Sequence, residues 1–350
     1  MASDRLVAWA IECIERGLVP DFLVRAGIRT LLRMRLKDER ATDRVEHARR
    51  FQKFVNITRS NPIALLTDKA NEQHYEVPAG FYERVLGQHL KYSCCYFGPH
   101  TDRLEDAEAE ALRITCERAE LRNDLRILEL GCGWGSLSLW MAANFPDSTI
   151  TAVSNSSSQR EFIMERARQR GLTNLTVVTS DMNDFTSTDQ FDRVVSVEMF
   201  EHMRNYELLL SRISAWLKPN GKLFVHIFCH RDTPYVFETE GASNWMGRYF
   251  FSGGTMPSDD LLFHYQQHLT LTHWWRWNGQ HYERTSNEWL KRLDHARTEI
   301  WPVLEATYGR NQASVWFMRW RLFFMSCAEL FGFNRGNEWW VSHYLFEKRH

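Results

Sequence analysis

Two carboxylates and an imidazole stand close together in the stretch SVEMFEHM, which begins at Ser196. Glu198, Glu201 and His202 follow an apolar run that is typical of a strand. If a helix begins soon after Glu198, the residues three and four positions further on share its face, and the three side chains can converge. Carboxylates attract an ammonium group, and histidine can accept a proton near neutral pH. The alternative is that the acidic residues only favour the first turn of a helix.

The elements around this stretch predict a ligand site. From about residue 120, apolar runs such as LRILEL, STITAVS, LTVVTS, FDRVVSVE and GKLFVHIFC alternate with amphipathic segments. Strand and helix in alternation predict an α/β fold with a parallel sheet covered on both faces. SVEMFEHM follows the fourth predicted strand, and doubly wound sheets bind their ligands at the carboxyl ends of strands.

A glycine-rich turn, LELGCGWG, follows the first predicted strand. Gly131 and Gly133 let the backbone pass close to a ligand, as a dinucleotide-binding turn also does. Glu129, two positions before the first glycine, would repel a pyrophosphate but suits a ligand with a free ammonium group. S-adenosylmethionine has that group and no phosphate.

These residues resemble the first motif, E-x-G-x-G-x-G, of the class I S-adenosylmethionine-dependent methyltransferases. The resemblance implies a Rossmann-like, doubly wound sheet of seven strands with an antiparallel last strand. That superfamily usually has an acidic residue after the second strand, whereas this chain has SNSSSQ from Ser154 to Gln159. The departure resembles the S/T-x-S-x-x-Q pattern of the cyclopropane fatty acid synthase-like branch.

The segments QHYEVPAGFY and KYSCCYFG extend the resemblance to that branch. It implies that Tyr92 and Ser93 lie at the methionine end of the cofactor and that Asp181 and Met182 lie near the adenine, although Met182 could simply be packed. The cofactor-binding residues expected are Tyr92, Ser93, Glu129, Gly131, Gly133, Ser154, Asn155, Gln159, Asp181, Met182 and Val197. In cyclopropane synthases a bound bicarbonate is the base, and the matching residues here are Cys94, Glu201, His226 and Tyr282.

Longer shared stretches resemble the plant benzylisoquinoline N-methyltransferases of the coclaurine type. They are VEMFEHM, FVHIFCH, NWMGRYFFSGGTMPS, NGQHYERTSNEWLKR and GFNRGNEWWVSHYLF. By this likeness Glu198, Glu201 and His202 lie beside the substrate amine. The substrate-binding residues expected are Glu76, Phe228, Phe250 and Trp289, and Glu76 could instead be a solvated surface residue.

Composition restricts the partners and the location. Lys and Arg number 43 against 44 for Asp and Glu, so the charge does not favour nucleic acid. The charged N-terminus lacks the apolar segment of a signal peptide or membrane span, and the seven cysteines lack paired spacing. We expect a cytoplasmic protein without a metal site or integral membrane contact, acting on a small-molecule amine. The oligomeric state is open, a homodimer included.

The helix and strand patterns of the sequence divide the chain into four regions. We expect an N-terminal helical region over 1–90, a cofactor-binding core over 91–230 and an inserted substrate cap over 231–300. Residues 301–350 would return to the core as a helix and a final strand. The function expected is methyl transfer from S-adenosylmethionine to the nitrogen of an alkylamine or cyclic amine. The alternatives are a bicarbonate-using lipid C-methyltransferase and a non-enzymatic protein that binds the cofactor.

Overall fold

A computed structural model describes residues 2–65 and 77–349. Glu76, which we expected near the substrate, lies outside the described residues. Within this part of the chain, no helix is long and apolar enough to cross a membrane.

The centre of the molecule is a seven-stranded sheet, and five of its strands come in succession along the chain. These are β1 (Arg126–Leu130), β2 (Thr149–Ser154), β3 (Leu175–Thr179), β4 (Phe191–Val197) and β5 (Leu217–His230). The first four neighbouring pairs are parallel, and the sheet order is β3, β2, β1, β4, β5 followed by two further strands. Burial of β1 on both faces agrees with the continuous apolar run RILEL.

Two late strands complete the sheet. The last, β9 (Trp339–Lys348), runs antiparallel to β5 and lies between β5 and β8 (Leu269–Trp277). The prediction of seven strands with an antiparallel last strand is therefore confirmed. A separate short pair, β6 (Tyr235–Val236) and β7 (Thr255–Met256), lies in the segment between β5 and β8.

The strand β8 was not recognised in the sequence, where its residues fell inside the expected cap. Its sequence, LTLTHWWRW, lies at the sheet edge, and only its two terminal residues are buried. Its first four residues, LTLT, alternate apolar and polar side chains, but the aromatic run that follows does not continue the alternation. Part of 231–300 therefore belongs to the main sheet.

Helices surround the sheet and extend the molecule at its N-terminal end. The helices before the sheet are α1 (Ala2–Glu15), α2 (Asp21–Glu39), α3 (Arg44–Arg59), α4 (Ala79–Val85) and α5 (Leu104–Arg118). Those within the sheet region are α6 (Ser136–Asn144), α7 (Ser157–Gln169), α8 (Tyr206–Trp216), α9 (Trp245–Tyr249), α10 (Gln280–His295), α11 (Arg297–Tyr308) and α12 (Ala313–Gly332). The helical character expected for the N-terminal region agrees with α1 to α4.

The long helix α12 joins the N-terminal helices to the site. Its Glu329 accepts hydrogen bonds from Arg25 and Arg29 of α2, at 2.9 and 2.7 Å. Other side chains of α12, among them Phe323 and Phe331, line a cavity beyond the carboxyl ends of the strands. The helix therefore ties α2 to the wall of that cavity.

Candidate active site

The order of the strands places two loops side by side. Strand β1 lies between β2 and β4, so the direction in which successive strands are added reverses there. Such a switch point opens a crevice beyond the carboxyl ends of the strands. The glycine loop follows β1 and the SVEMFEHM turn follows β4, and the crevice between them contains two adjoining cavities.

The glycine loop has backbone conformations that glycine adopts more readily than other residues. Gly131 and Gly133 have φ angles of +80° and +51°, in the left-handed region. A Cβ on Gly131 would lie 2.6 Å from Cγ of Met199, in the turn that follows β4. The two loops therefore pack against each other through a position that cannot accept a side chain.

Glu129 is a buried acid at the end of β1 and lines the larger cavity. Its carboxylate accepts a hydrogen bond from the Ser138 hydroxyl of α6. Burial raises the pKa of Glu129 to about 7. A buried carboxyl with one hydroxyl donor is suited to pair with a cationic ligand group, which would compensate the cost of burying its charge.

The smaller cavity is lined by the residues that follow β2. The Ser154 hydroxyl donates to Oε1 of Gln159 at 2.7 Å, which leaves the amide nitrogen of that side chain directed elsewhere. Nε2 of Gln159 is buried and has no hydrogen-bond partner among the described residues. Because Gln159 borders both cavities, this unused donor is available to a ligand that spans them.

Glu198 is held by three hydrogen bonds. Its Oε1 accepts from the backbone N–H of Cys94 at 2.9 Å and lies 3.2 Å from Nε2 of His226, and its Oε2 accepts from the Tyr282 hydroxyl at 2.6 Å. Its backbone has a φ of +47°, which is uncommon for a residue with a side chain and is often found at functional sites. Burial raises the pKa of Glu198, and the positive charge of Lys91 opposes that rise.

Glu201 is fully buried and lines the larger cavity, yet neither carboxylate oxygen has a hydrogen-bond partner within residues 2–65 and 77–349. Burial, and then the negative charge of Glu198, raise the pKa of Glu201 well above its usual value. An isolated buried carboxyl is costly, and a cationic or hydrogen-bonding ligand would remove that cost.

The turn that carries these residues is not the helix we expected. Glu198 precedes a single 3₁₀ turn, Phe200–His202, and the following α-helix begins only at Tyr206. Glu198, Glu201 and His202 nevertheless all line the larger cavity, as the convergence prediction required. Helical spacing does not account for their convergence, because Glu198 precedes the turn and has a left-handed backbone.

Aromatic and aliphatic side chains form most of the remaining wall. The larger cavity has about 1330 Å³ of empty space, which includes open solvent, and it extends from Glu129 beside the glycine loop to Phe331 of α12. The Phe, Tyr and Trp residues that line it are Tyr92, Trp134, Phe228, Phe237, Phe251, Tyr282, Trp289, Phe323 and Phe331. His202 borders both cavities, and its ring lies 4.6 Å from that of Phe251 between centroids.

Comparison with known proteins identifies the family. Residues 66–339 match the family model described as mycolic acid cyclopropane synthetase. The chain belongs to this family. It is 38% identical to (S)-coclaurine N-methyltransferase of Thalictrum flavum subsp. glaucum, over 98% of this chain and 96% of that protein. It is 30% identical to the cyclopropane-fatty-acyl-phospholipid synthase of Escherichia coli (strain K12), over 86% of this chain and 72% of that protein.

A solved structure agrees with this assignment. The crystal structure of a coclaurine N-methyltransferase bound to N-methylheliamine and SAH has a TM-score of 0.94. The two sequences are 36% identical, and the match covers 98% of this chain and 100% of the chain in the crystal structure. The protein is thus an S-adenosylmethionine-dependent methyltransferase of the cyclopropane synthetase family, and the N-methyltransferase prediction is confirmed over the lipid alternative.

Most residues expected from the family resemblance lie at the cavities. Tyr92, Ser93, Val197, Phe228, Tyr282 and Trp289 line the larger one, and Ser154, Asn155 and Met182 line the smaller one. Of the described residues expected to bind the cofactor or the substrate, two line neither cavity. The Asp181 carboxylate accepts from the backbone N–H of Asn183 at 2.7 Å and borders neither cavity. Phe250 is fully buried against Phe323, and its neighbour Phe251 faces the cavity instead.

Cys94 and His226 contact Glu198 without lining the cavities. The contact from Cys94 is its backbone N–H, and burial raises the pKa of its thiol well above the usual value. His226 is fully buried. Both residues therefore contact the Glu198 carboxylate from outside the cavities.

The sequence reasoning missed Lys91. Its ammonium group is buried and donates to the carbonyl oxygen of Cys94 at 2.8 Å and to the Ser93 hydroxyl. The signal was present, since Lys91 opens the KYSCCYFG segment. Lysines are usually exposed, so the residue type does not predict a buried ammonium group.

Proposed function

We propose that this chain methylates the nitrogen of a secondary or tertiary cyclic amine attached to an apolar aromatic body. The observation that carries the proposal is the Glu201 carboxyl, fully buried in an aromatic-lined cavity with no hydrogen-bond partner in the described structure. An alkylammonium group would provide the missing partner, and the aromatic wall would contact the rest of the substrate.

The partners of Glu198 favour an amine over a bicarbonate-dependent lipid reaction. The family resemblance assigns Cys94, His226 and Tyr282 to a bound bicarbonate. In this chain all three contact the Glu198 carboxylate. A protein carboxylate therefore takes up the donors that a bicarbonate would need.

The residues around the glycine loop fit S-adenosylmethionine. Glu129 would pair with its ammonium group, and the unpartnered amide nitrogen of Gln159 would donate to it where the two cavities meet. Bound there, the cofactor supplies an electrophilic methyl group. The close approach of Gly131 to Met199 excludes a side chain at position 131, in the loop that would face the cofactor.

The carboxyl pair would set the protonation of the amine. An ammonium beside a Glu201 carboxylate and a neutral amine beside a Glu201 carboxylic acid differ only in the position of one proton. Burial raises the pKa of Glu201 and disfavours the charged form of an amine, so both effects move the proton to the carboxyl group. The nitrogen lone pair then becomes free to attack, and most of the rate would come from holding it in line with the methyl group.

His202 would carry the proton away from the carboxyl pair. We expect His202→Ala to lower turnover about 100-fold at about pH 7 and by less at about pH 9.5, where more of the amine is already neutral. Initial rates with a tetrahydroisoquinoline would measure this. His295→Ala, an exposed histidine of α10, should leave the rate unchanged. Equal losses at both pH values for His202→Ala would contradict the proton-transfer role.

Glu129 should control the affinity for the cofactor. We expect Glu129→Gln to weaken SAH binding about 30-fold in calorimetry, because a charge-assisted hydrogen bond is lost. The ligand ammonium pairs with the ionised acid, and the pKa of Glu129 is raised to about 7, so wild-type affinity should fall as the pH drops through 7. Glu129→Gln should lack this pH dependence. Glu161→Gln on the exposed face of α7 is the control, and wild-type affinity that is flat with pH would contradict the assignment.

One assay tests the acceptor class. Purified protein is incubated with methyl-labelled S-adenosylmethionine and, separately, with tetrahydroisoquinolines, simple alkylamines and unsaturated phospholipids, with and without bicarbonate. We expect label in the cyclic amines without a bicarbonate requirement. Label only in the lipid, dependent on bicarbonate, would overturn the proposal.

We also propose a cytoplasmic location. All seven cysteines are free in the structure, which agrees with a reducing compartment. Fractionation of the native cells would test it, and recovery of the protein in a secreted or membrane fraction would contradict it.

A further inference from the structure

Behind Glu198, two buried histidines and an arginine form a continuous hydrogen-bonded chain. Nη1 of Arg118 lies 2.8 Å from Nδ1 of His343, and Nε2 of His343 lies 2.9 Å from Nδ1 of His226. Nε2 of His226 lies 3.2 Å from Oε1 of Glu198. The chain of hydrogen bonds therefore runs from the last turn of α5, through the antiparallel pair β9 and β5, to the carboxylate at the cavity.

Hydrogen-bonding chemistry fixes the direction of this chain. A guanidinium group only donates, so Nδ1 of His343 must accept. Burial lowers the pKa of both histidines well below the usual value, so each ring is neutral and carries one N–H. Nε2 of His343 therefore donates to Nδ1 of His226, and the remaining N–H of His226, on Nε2, donates to Glu198. Arg118 thus determines the tautomer of both rings.

The fold holds the two imidazoles in this arrangement. His226 of β5 and His343 of β9 are direct partners in the register of the sheet, and both are fully buried. The Trp277 ring packs against both, with centroids 5.3 and 4.4 Å away, and the Phe224 ring lies 5.1 Å from that of His343. This packing opposes rotation of the rings, so the donor and acceptor positions are maintained.

We propose that Arg118 and His343 are positioning residues that hold the Glu198 carboxylate in its ionised form and fixed orientation through His226. The importance of that carboxylate for amine methylation rests on the proposed function, whereas the direction of the chain does not. Without Arg118 the chain can reverse, with a protonated Glu198 donating to Nε2 of His226 and Nδ1 of His226 donating to His343. Arg118 excludes this reversed state because its guanidinium group cannot accept a hydrogen bond from His343.

Other groups also face Glu198. The Lys91 ammonium is an electrostatic neighbour, Tyr282 donates to Oε2, and Glu201 is the neighbouring acid. The thiols of Cys94 and Cys327 are nearby, and burial raises the pKa of both. The variants below leave all five in place, so a change in the acid limb of the activity profile reports on the chain itself.

Two variants interrupt the chain at different points. Arg118→Met removes the donor that sets its direction, and His343→Phe removes the link without changing the charge. We expect both to shift the acid limb of the kcat/KM profile upward by about one pH unit and to lower kcat about tenfold at about pH 7, with little change in KM. His343→Gln, whose amide can accept from Arg118 and donate to His226, should recover most of the activity.

The matched control is Arg113→Met, which removes an arginine from the exposed side of the same helix. It should leave both the pH profile and kcat unchanged. A profile in His343→Phe that matches wild type, or a loss in Arg113→Met as large as that in Arg118→Met, would overturn the proposal.

A spectroscopic measurement separates this proposal from the proposed function. In protein with ¹⁵N-labelled histidine, His226 should show the Nε2–H tautomer in wild type and a mixture of tautomers in Arg118→Met. The same tautomer in both proteins would overturn the positioning role. If no amine is methylated by any variant, the proposed function fails, and the histidine spectra still decide whether Arg118 sets the direction of the chain.

Discussion

Replacing Glu201 by Gln should lower kcat/KM for a cyclic secondary amine about 1000-fold at about pH 7, within the range that general acid–base groups contribute. The amide has the shape of the acid but cannot take the proton of an ammonium group. At about pH 9.5 the loss should shrink, because more of the amine is neutral before it binds. Steady-state kinetics at the two pH values measure the effect.

The Glu201→Gln protein should fold normally. Neither oxygen of Glu201 has a partner in the described structure, so the amide breaks no hydrogen bond there. The amide also has the shape of the acid and removes the cost of burying a charge. Glu207→Gln, on the first turn of α8 and outside both cavities, is the control and should keep full activity. A loss in Glu201→Gln that does not change with pH would show that the residue does not act on the proton.

Replacing Glu198 by Gly should lower kcat about 100-fold, and added formate or bicarbonate should restore a large part of the activity. The φ of +47° suits glycine, so the backbone can keep its course. Removing the side chain exposes the Cys94 N–H, Nε2 of His226 and the Tyr282 hydroxyl, which are unpaired without it. A small carboxylate can occupy the space and satisfy the same donors.

The rescue should depend on those donors. In the double variant with Glu198→Gly and Tyr282→Phe, one donor is missing, and formate should restore less activity at every concentration. Chloride at the same ionic strength is the control for a general salt effect. Stimulation of wild-type enzyme by formate to the same degree, or no stimulation of Glu198→Gly, would mean that the three donors do not form an anion site.

Structural features that depend on a few consecutive residues could be predicted from the sequence. LELGCGWG predicted a turn that needs glycine, and Gly131 has both a left-handed backbone and a close neighbour in Met199. These are properties of a few consecutive residues, so the sequence carries them directly. The strand β8 shows the opposite case, because the alternation of its first residues, LTLT, stops at an aromatic run and only its two end residues are buried.

The aromatic residues of the cavity wall could not all be predicted from the sequence. Phe250 and Phe251 are adjacent aromatic residues in the sequence, and we selected Phe250. The structure buries Phe250 against Phe323 and turns Phe251 to the cavity. Which of two neighbouring side chains faces a cavity depends on how the short helix α9 packs on α12, and composition contains no information on that packing.

By itself the sequence determined the parallel sheet, the glycine turn with an acid two positions before it and the presence of two carboxylates and a histidine after the fourth strand. Only the tertiary structure decided which groups contact each of those side chains. Cys94, Tyr282 and His226 converge on Glu198 from three separate segments and leave Glu201 without a partner in the described structure. The register of β5 with β9 and the end of α5 add His343 and Arg118 behind it. Such a network is formed by residues more than a hundred positions apart in some cases, and their proximity is set by the order of the strands rather than by any local spacing.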